Sequence, residues 1–221
     1  MEAMPLTVEI WSDVVCPWCY IGKRRFEAAL RSFEHAGEVE VTWRAFELDP
    51  EAPAAHDLPP AERLAAKYGM TVEQAAASHA QLTELAAAEG LEYHLDRTRG
   101  GNTFDAHRVV ALAAERGLGE AAMERIMRGY FTESEAVGDH ETLVRLVADA
   151  GVDPEAARSV LAGDAYADAV RADELLGARM GIRGVPFFVL DRRYGVSGAQ
   201  PAELLVQALD TAWAAAQPDA A

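Results

Sequence analysis

Cys16 and Cys19 are the only cysteines in a chain of 221 residues, and they stand three apart in Cys16-Pro17-Trp18-Cys19. The thiolate is the nucleophile of thiol–disulfide exchange, and two thiols at this spacing can act on one disulfide in turn. What the pair can do depends on what holds it. Val8, Ile10 and Trp11 among Thr7, Glu9 and Ser12 predict a strand that Val14-Val15 extend. After Cys16 the period changes. Trp18, Gly22, Phe26, Ala29, Leu30 and Phe33 form a helical stripe, with Lys23, Arg24, Arg25 and Arg31 mostly outside it. Pro17 suits the first helical position, where its missing N–H costs nothing. Cys16 is thus expected over unpaired N–H groups at the positive end of the helix dipole, where a thiolate is favoured. Cys19, one turn further in and more buried, can attack a mixed disulfide formed at Cys16.

Two plainer uses of the pair are weaker. A stabilising disulfide gains from loop closure, and this loop is very short. A zinc site needs two more ligands, and no pair of histidines at zinc spacing follows, so no metal is expected.

The chain is long enough for one large domain or a domain with an insertion, and half of its residues are hydrophobic, so it can bury a core. Its net charge of −16, from 36 acidic and 20 basic residues, speaks against nucleic acid or an anionic membrane surface as partner. No apolar run approaches membrane-spanning length, and Met1 to Thr7 has neither the basic nor the apolar part of a secretory signal. A cytoplasmic location is expected, where two thiols are catalytic more often than structural.

Further along, Val39, Val41, Trp43 and Ala45 alternate with polar residues and predict a second strand reaching Leu48, joined to the first by a parallel crossover. Asp49 to Pro60, rich in Pro, Ala and acid, reads as a linker. Helical character then runs to Met180. Thr71 and Gln74 fit a capping box, Asn102 or Thr103 can cap a helix over Phe104–Arg116, and Ala122, Met123, Ile126, Met127, Tyr130 and Phe131 share one side of another. Asp139, Asp153-Pro154 and Asp164 mark three more helix starts. Val185 to Leu190 reads as a buried strand, Tyr194 to Gly198 as the returning arm of a hairpin, and Gln200-Pro201 opens a last helix with Leu204, Leu205, Ala208, Leu209 and Ala212 inside. The ends supply βαβ and ββα. The chain is therefore read as an α/β domain split into 1–58 and 181–221, with an all-helical insertion over 59–180.

This layout resembles the DsbA-like thioredoxin-fold oxidoreductases. Within them it resembles the FrnE-type branch, whose sequences look like DVVCPWCYIGKRRFE, NTFDAHR, GVPFFV and SGAQP over essentially the whole chain. The resemblance implies a thioredoxin-like fold with a large helical insertion, and a protein-disulfide oxidoreductase or isomerase with Cys16 and Cys19 as its catalytic pair. It matches Pro186 to a cis-proline beside the dithiol, which would leave the Val185 backbone to pair with an extended substrate strand. The plainer reading of Pro186 is a trans proline opening a strand. His107, in Asn102-Thr-Phe-Asp-Ala-His-Arg108, is implied as a polar wall near Cys16, or else is a structural helix histidine. Asn102 reads as a cap. Ser197-Gly198-Ala199-Gln200 either touches substrate or starts a helix. Trp18 either lies partly exposed beside Cys16 as a substrate contact or packs in the core.

Glu9 and Asp13 are the two candidates for the acid that such proteins bury beneath the second cysteine. Trp18 stands where strongly oxidising relatives carry histidine, so the reduction potential is expected within the span of roughly −120 to −270 mV and not at its oxidising end. No metal or organic cofactor is implied. Glutathione or a thioredoxin system would recycle the pair, the partners would be disulfide- or thiol-bearing proteins or peptides, and the chain would be a monomer or homodimer. Two other functions fit the layout. One is the glutathione-dependent chemistry on small aromatics of 2-hydroxychromene-2-carboxylate isomerases and kappa-class glutathione transferases, which usually carry serine where Cys16 stands. The other is a non-catalytic accessory role in a biosynthetic pathway.

Overall fold

The alternating N-terminal run forms strand β1, Leu6–Ser12, in the computed structural model, which describes residues 5–216. The strand stops at Ser12 and does not continue through Val14-Val15. Those residues lie in a turn closed by the Cys16 N–H on the Asp13 carbonyl (3.1 Å), from which helix α1, Pro17–Ser32, departs. Strand β2, Val39–Ala45, pairs parallel to β1 from Leu6↔Val39 to Ser12↔Ala45. It ends short of Leu48 because β1 has no further residue to pair; the Phe46 N–H takes the Ser12 carbonyl and the strand is finished. Strands β3, Phe187–Leu190, and β4, Tyr194–Ser197, form a hairpin whose first arm runs antiparallel to β1. The sheet is mixed, in the order β2-β1-β3-β4. Helix α9, Ala202–Ala216, closes the chain; Leu204, expected inside, is turned out to solvent.

One face of β1 presents Leu6, Val8 and Ile10, which join Phe188 and Leu190 of β3 under α1 and α9 through Phe26, Phe33, Leu205 and Leu209. Burying each such side chain contributes about 1.5–3 kcal/mol. The other face carries Trp11 and Val189, packed with Leu176 and Ile182. Leu176 belongs to helix α8, Ala167–Arg179, whose Asp173 carbonyl accepts the Trp11 indole N–H at 2.9 Å. Gly177 permits this approach, since a Cβ there would sit 2.8 Å from the indole nitrogen.

The chain divides into two compact units. One runs to Phe46 and resumes at Asp173; the other is Glu47–Ala172. The sequence reading put the joins near 59 and 180. They fall earlier because Asp173, through its carboxylate on Arg44 (2.8 Å) and the Ala45 N–H (3.1 Å), ties the second half of α8 to β2.

The helical unit holds α2, Pro60–Tyr68, α3, Val72–Ala88, α4, Phe104–Ala114, α5, Gly119–Phe131, α6, His140–Asp149, and α7, Pro154–Ala162. The local signals act as read. Thr71 and Gln74 make a capping box, Asp139 accepts the Thr142 N–H, and Asp153 accepts the Glu155 N–H ahead of Pro154. Asp164 is the exception. Its carbonyl, three residues before α8 begins, accepts the Ala167 N–H. The expected linker is a packed strap. Pro53 and Gly100 carbonyls accept the Asn102 and His56 N–H groups. The Ala54 carbonyl runs so close to Gly101 and Gly138 that a Cβ on either would lie 2.1 or 1.9 Å from its oxygen. Among the described residues no helix is long and apolar enough to cross a membrane.

Candidate active site

Cys16 is the N-cap of α1, with extended backbone (φ −84°, ψ 113°) and Pro17 in the first helical turn. Its carbonyl already accepts the N–H groups of Cys19 (3.0 Å) and Tyr20 (3.4 Å). Its side chain makes no capping bond, so the sulfur sits at the positive end of the helix, where an anion is stabilised. Both cysteines are free thiols, and both are buried. The Cys16 Sγ donates to the Val185 carbonyl at 3.6 Å, and the Val185–Pro186 bond is cis.

Cys19, one turn along α1, is in a drier place. Burial pushes its thiol well up from the ordinary range, and the neighbouring Cys16 sulfur pushes it further, since two adjacent sulfur anions repel. The backbone N–H of Asp13 and the hydroxyl of Ser12 act the other way. The two sulfurs thus differ: Cys16 lies at the leading end of the helix, and Cys19 behind it holds its proton more firmly.

The Val185–Pro186 segment is held to this helix by contacts of different ranges. Gly22 of α1 faces Pro186 so closely that a Cβ would lie 2.8 Å from the ring Cγ. On the far side the Pro186 carbonyl accepts the Gly198 N–H at 2.8 Å, with Gly198 at φ +81°. The Ala199 carbonyl accepts from Arg25 of α1 at 2.6 Å, and the Gln200 amide returns to the Ser197 carbonyl at 2.8 Å. Ser197 to Gln200 is therefore a brace between α1 and Pro186. Gly22 has no signal in the sequence beyond being a small residue in a helical stripe.

Trp18 projects from the first turn of α1 and is 43% exposed. Lys23 is not on the open face of α1; it is buried, with its ammonium on Glu27. Both candidate acids accept hydrogen bonds from neighbouring groups. The Glu9 carboxylate accepts from Arg192 (2.8 Å) and Arg44 (2.6 Å). The Arg192 bond, with the Arg44 bond and both charges, holds its carboxyl below the usual range against the opposing effect of burial. Asp13 is buried in the turn, where its carboxylate faces the Val15 N–H at 3.4 Å.

His107 lies in the helical unit, buried on α4. Its neighbours in the NTFDAHR segment are structural. The Asn102 side chain accepts the Phe104 N–H and donates to the Pro50 carbonyl. Arg108 is buried and donates to the carbonyls of Val160, Gly163 (2.6 Å) and Ala165 (2.9 Å), closing the C-terminal end of α7. Among the described residues no three His, Cys, Asp or Glu side chains gather as a metal site would.

A family model described as a DSBA-like thioredoxin domain matches residues 7–210. The crystal structure of a probable DsbA oxidoreductase from Streptomyces coelicolor is similar with a TM-score of 0.93 and 52% identity, over 98% of this chain and 93% of that one. The cytosolic disulfide reductase DsbM from Pseudomonas aeruginosa with GSH is similar with a TM-score of 0.64 and 20% identity, over 93% and 98%. A 2-hydroxychromene-2-carboxylate isomerase is similar with a TM-score of 0.68 and 13% identity, over 93% and 95%. These last two likenesses concern the fold alone.

Proposed function

The chain belongs to the DSBA-like thioredoxin domain family, and we propose that it is a thiol–disulfide oxidoreductase of protein or peptide disulfides, of the FrnE-type branch. The observation that carries this is the asymmetric pair: Cys16 at the leading end of α1 and Cys19 behind it with its thiol pushed up by burial. Cys16 attacks a substrate disulfide, one substrate sulfur leaves as a thiol, and Cys19 resolves the mixed disulfide.

Val185 gives the substrate a place to lie. Among the described residues its N–H makes no backbone hydrogen bond, and it stands two residues before β3. An extended peptide can pair there, with Pro186 and the exposed Trp18 as apolar contacts. For His107 we favour the structural reading, a histidine buried on α4 that serves the packing of the helical unit. Both cysteines belong to the redox pair and none remains for a structural disulfide, which suits a reducing compartment such as the cytoplasm. Glutathione is the small thiol proposed to return the pair to its starting state. The isomerase reading has less support, because its relatives usually place serine at the position of Cys16.

The test is reduction of insulin disulfides by glutathione in the presence of the protein. Cys16→Ser should abolish the catalysed rate, and Cys19→Ser should accumulate a mixed disulfide at Cys16. Undiminished turnover by Cys16→Ser would overturn the proposal.

A further inference from the structure

The resolving cysteine must give up a proton inside the protein, and Glu9, the expected helper, is committed to Arg44 and Arg192. Ser12 is differently placed. It is the last residue of β1 and completely buried. Its hydroxyl acts on the Cys19 thiol, pulling it down against burial, and makes no regular hydrogen bond among the described residues. A buried hydroxyl without a partner is costly and therefore uncommon. The Asp13 N–H reaches the same sulfur from the adjoining turn.

We propose that Ser12 is the positioning residue of the resolving step: its hydroxyl, buried and without a regular hydrogen bond, donates to the Cys19 thiolate as that anion forms. A donor already in place, and made stronger as charge develops, favours the transition state over the ground state. In the step itself Cys19 loses its proton and its sulfur attacks the Cys16 sulfur of the mixed disulfide. The bond between Cys16 and the substrate sulfur breaks, and its electron pair leaves on the substrate as a thiolate that takes up a proton. The two enzyme thiols end as a disulfide and the substrate disulfide as two thiols. Ser12 keeps its own proton throughout. Cys16 acts on the sulfur directly; the other titratable groups of the elements that meet here are the buried Asp13 of the turn, Lys23 one turn further along α1 on Glu27, and Glu9 of β1 between its arginines.

This inference rests on the redox function above, and one experiment separates the two. Reduced protein treated with 5,5′-dithiobis(2-nitrobenzoate) releases one coloured thiolate when Cys16 is captured and a second when Cys19 resolves. Ser12→Ala removes a single oxygen that makes no regular hydrogen bond, so the fold should persist, and a thermal melt reads this directly. Its capture phase should match wild type. Its resolution phase should slow about tenfold near neutral pH, with its pH midpoint displaced upward. Ser12→Thr, which keeps the hydroxyl, should restore the wild-type midpoint, and Glu9→Gln should leave it where it is. Resolution by Ser12→Ala with the wild-type rate and midpoint overturns the role of Ser12, as does a displaced midpoint in Glu9→Gln alone. Absence of any capture at Cys16 instead overturns the redox function itself.

Discussion

The helical unit and the sheet unit solve different problems with different interactions. The helical unit, Glu47–Ala172, carries 23 acidic and 11 basic residues; the remainder of the chain carries 13 and 9. Most of the net charge of −16 thus sits in the helices, while the part that must form a sulfur anion is closer to neutral. Helix ends in the first unit are closed by groups near in sequence, such as Thr71 with Gln74 and Asp139 with Thr142. In the sheet unit the decisive contacts span long separations: Cys16 with Val185, Gly22 with Pro186, and Glu9 with Arg192. Helix starts are set locally in one unit, and the surroundings of the dithiol are drawn from distant segments in the other.

Arg108 is the harshest way to try to break that division. Its guanidinium satisfies carbonyls at and beyond the end of α7 and is itself buried. Arg108→Ala leaves those acceptors dry and opens a cavity, at a cost of about 3 kcal/mol. The urea midpoint should fall accordingly. The alkylation rate of Cys16 in the folded protein should not change, and a large change there would mean that the helical unit tunes the thiol.

Gly22→Ala probes the other side with a smaller change. Its Cβ must displace the Pro186 ring, and overpacking of this kind costs about 1–3 kcal/mol. Because the displaced segment carries the carbonyl that meets the Cys16 sulfur, insulin reduction should fall by more than the stability loss explains. A variant with a lowered melting temperature and full activity would show that the approach of α1 to Pro186 serves packing alone.

The same division decides what could be read from the sequence. The dithiol, its helix and an α/β domain with a helical insertion were legible because Cys16-Pro17-Trp18-Cys19, the capping residues and the apolar stripes are local patterns, while the thioredoxin-like fold was implied by the family resemblance. The pairing of Glu9 was not legible, since nothing near it in sequence shows that Arg44 and Arg192 will converge on it. The same holds for the strap. Residues 49–60 have a linker's composition, and only the distant Gly101 and Gly138 let Ala54 pack. Val14-Val15 misled because two β-branched residues suit a strand, while the geometry needed to launch α1 demands a turn.

Glu9→Gln gives the smallest effect and the sharpest contrast, because both units hold a carboxylate below its usual range for different reasons. In the sheet unit the cause is first the Arg192 bond and then Arg44; in the helical unit the Thr142 N–H does this to Asp139. A carboxyl depressed in the folded state contributes stability that is complete above its unfolded pKa, about 4.3 for Glu. That contribution is lost as pH falls through the folded value, because the unfolded chain then binds more protons. Arg192 is largely exposed, so the pairing is screened and its contribution is small. Urea midpoints of wild type and Glu9→Gln should differ slightly at pH 7 and converge as pH falls below the value of the folded carboxyl. Asp139→Asn should behave otherwise: asparagine caps about as well as aspartate, so the midpoint at pH 7 should hardly move. A gap between wild type and Glu9→Gln that persists into acid would mean that the carboxylate acts through shape and not through charge.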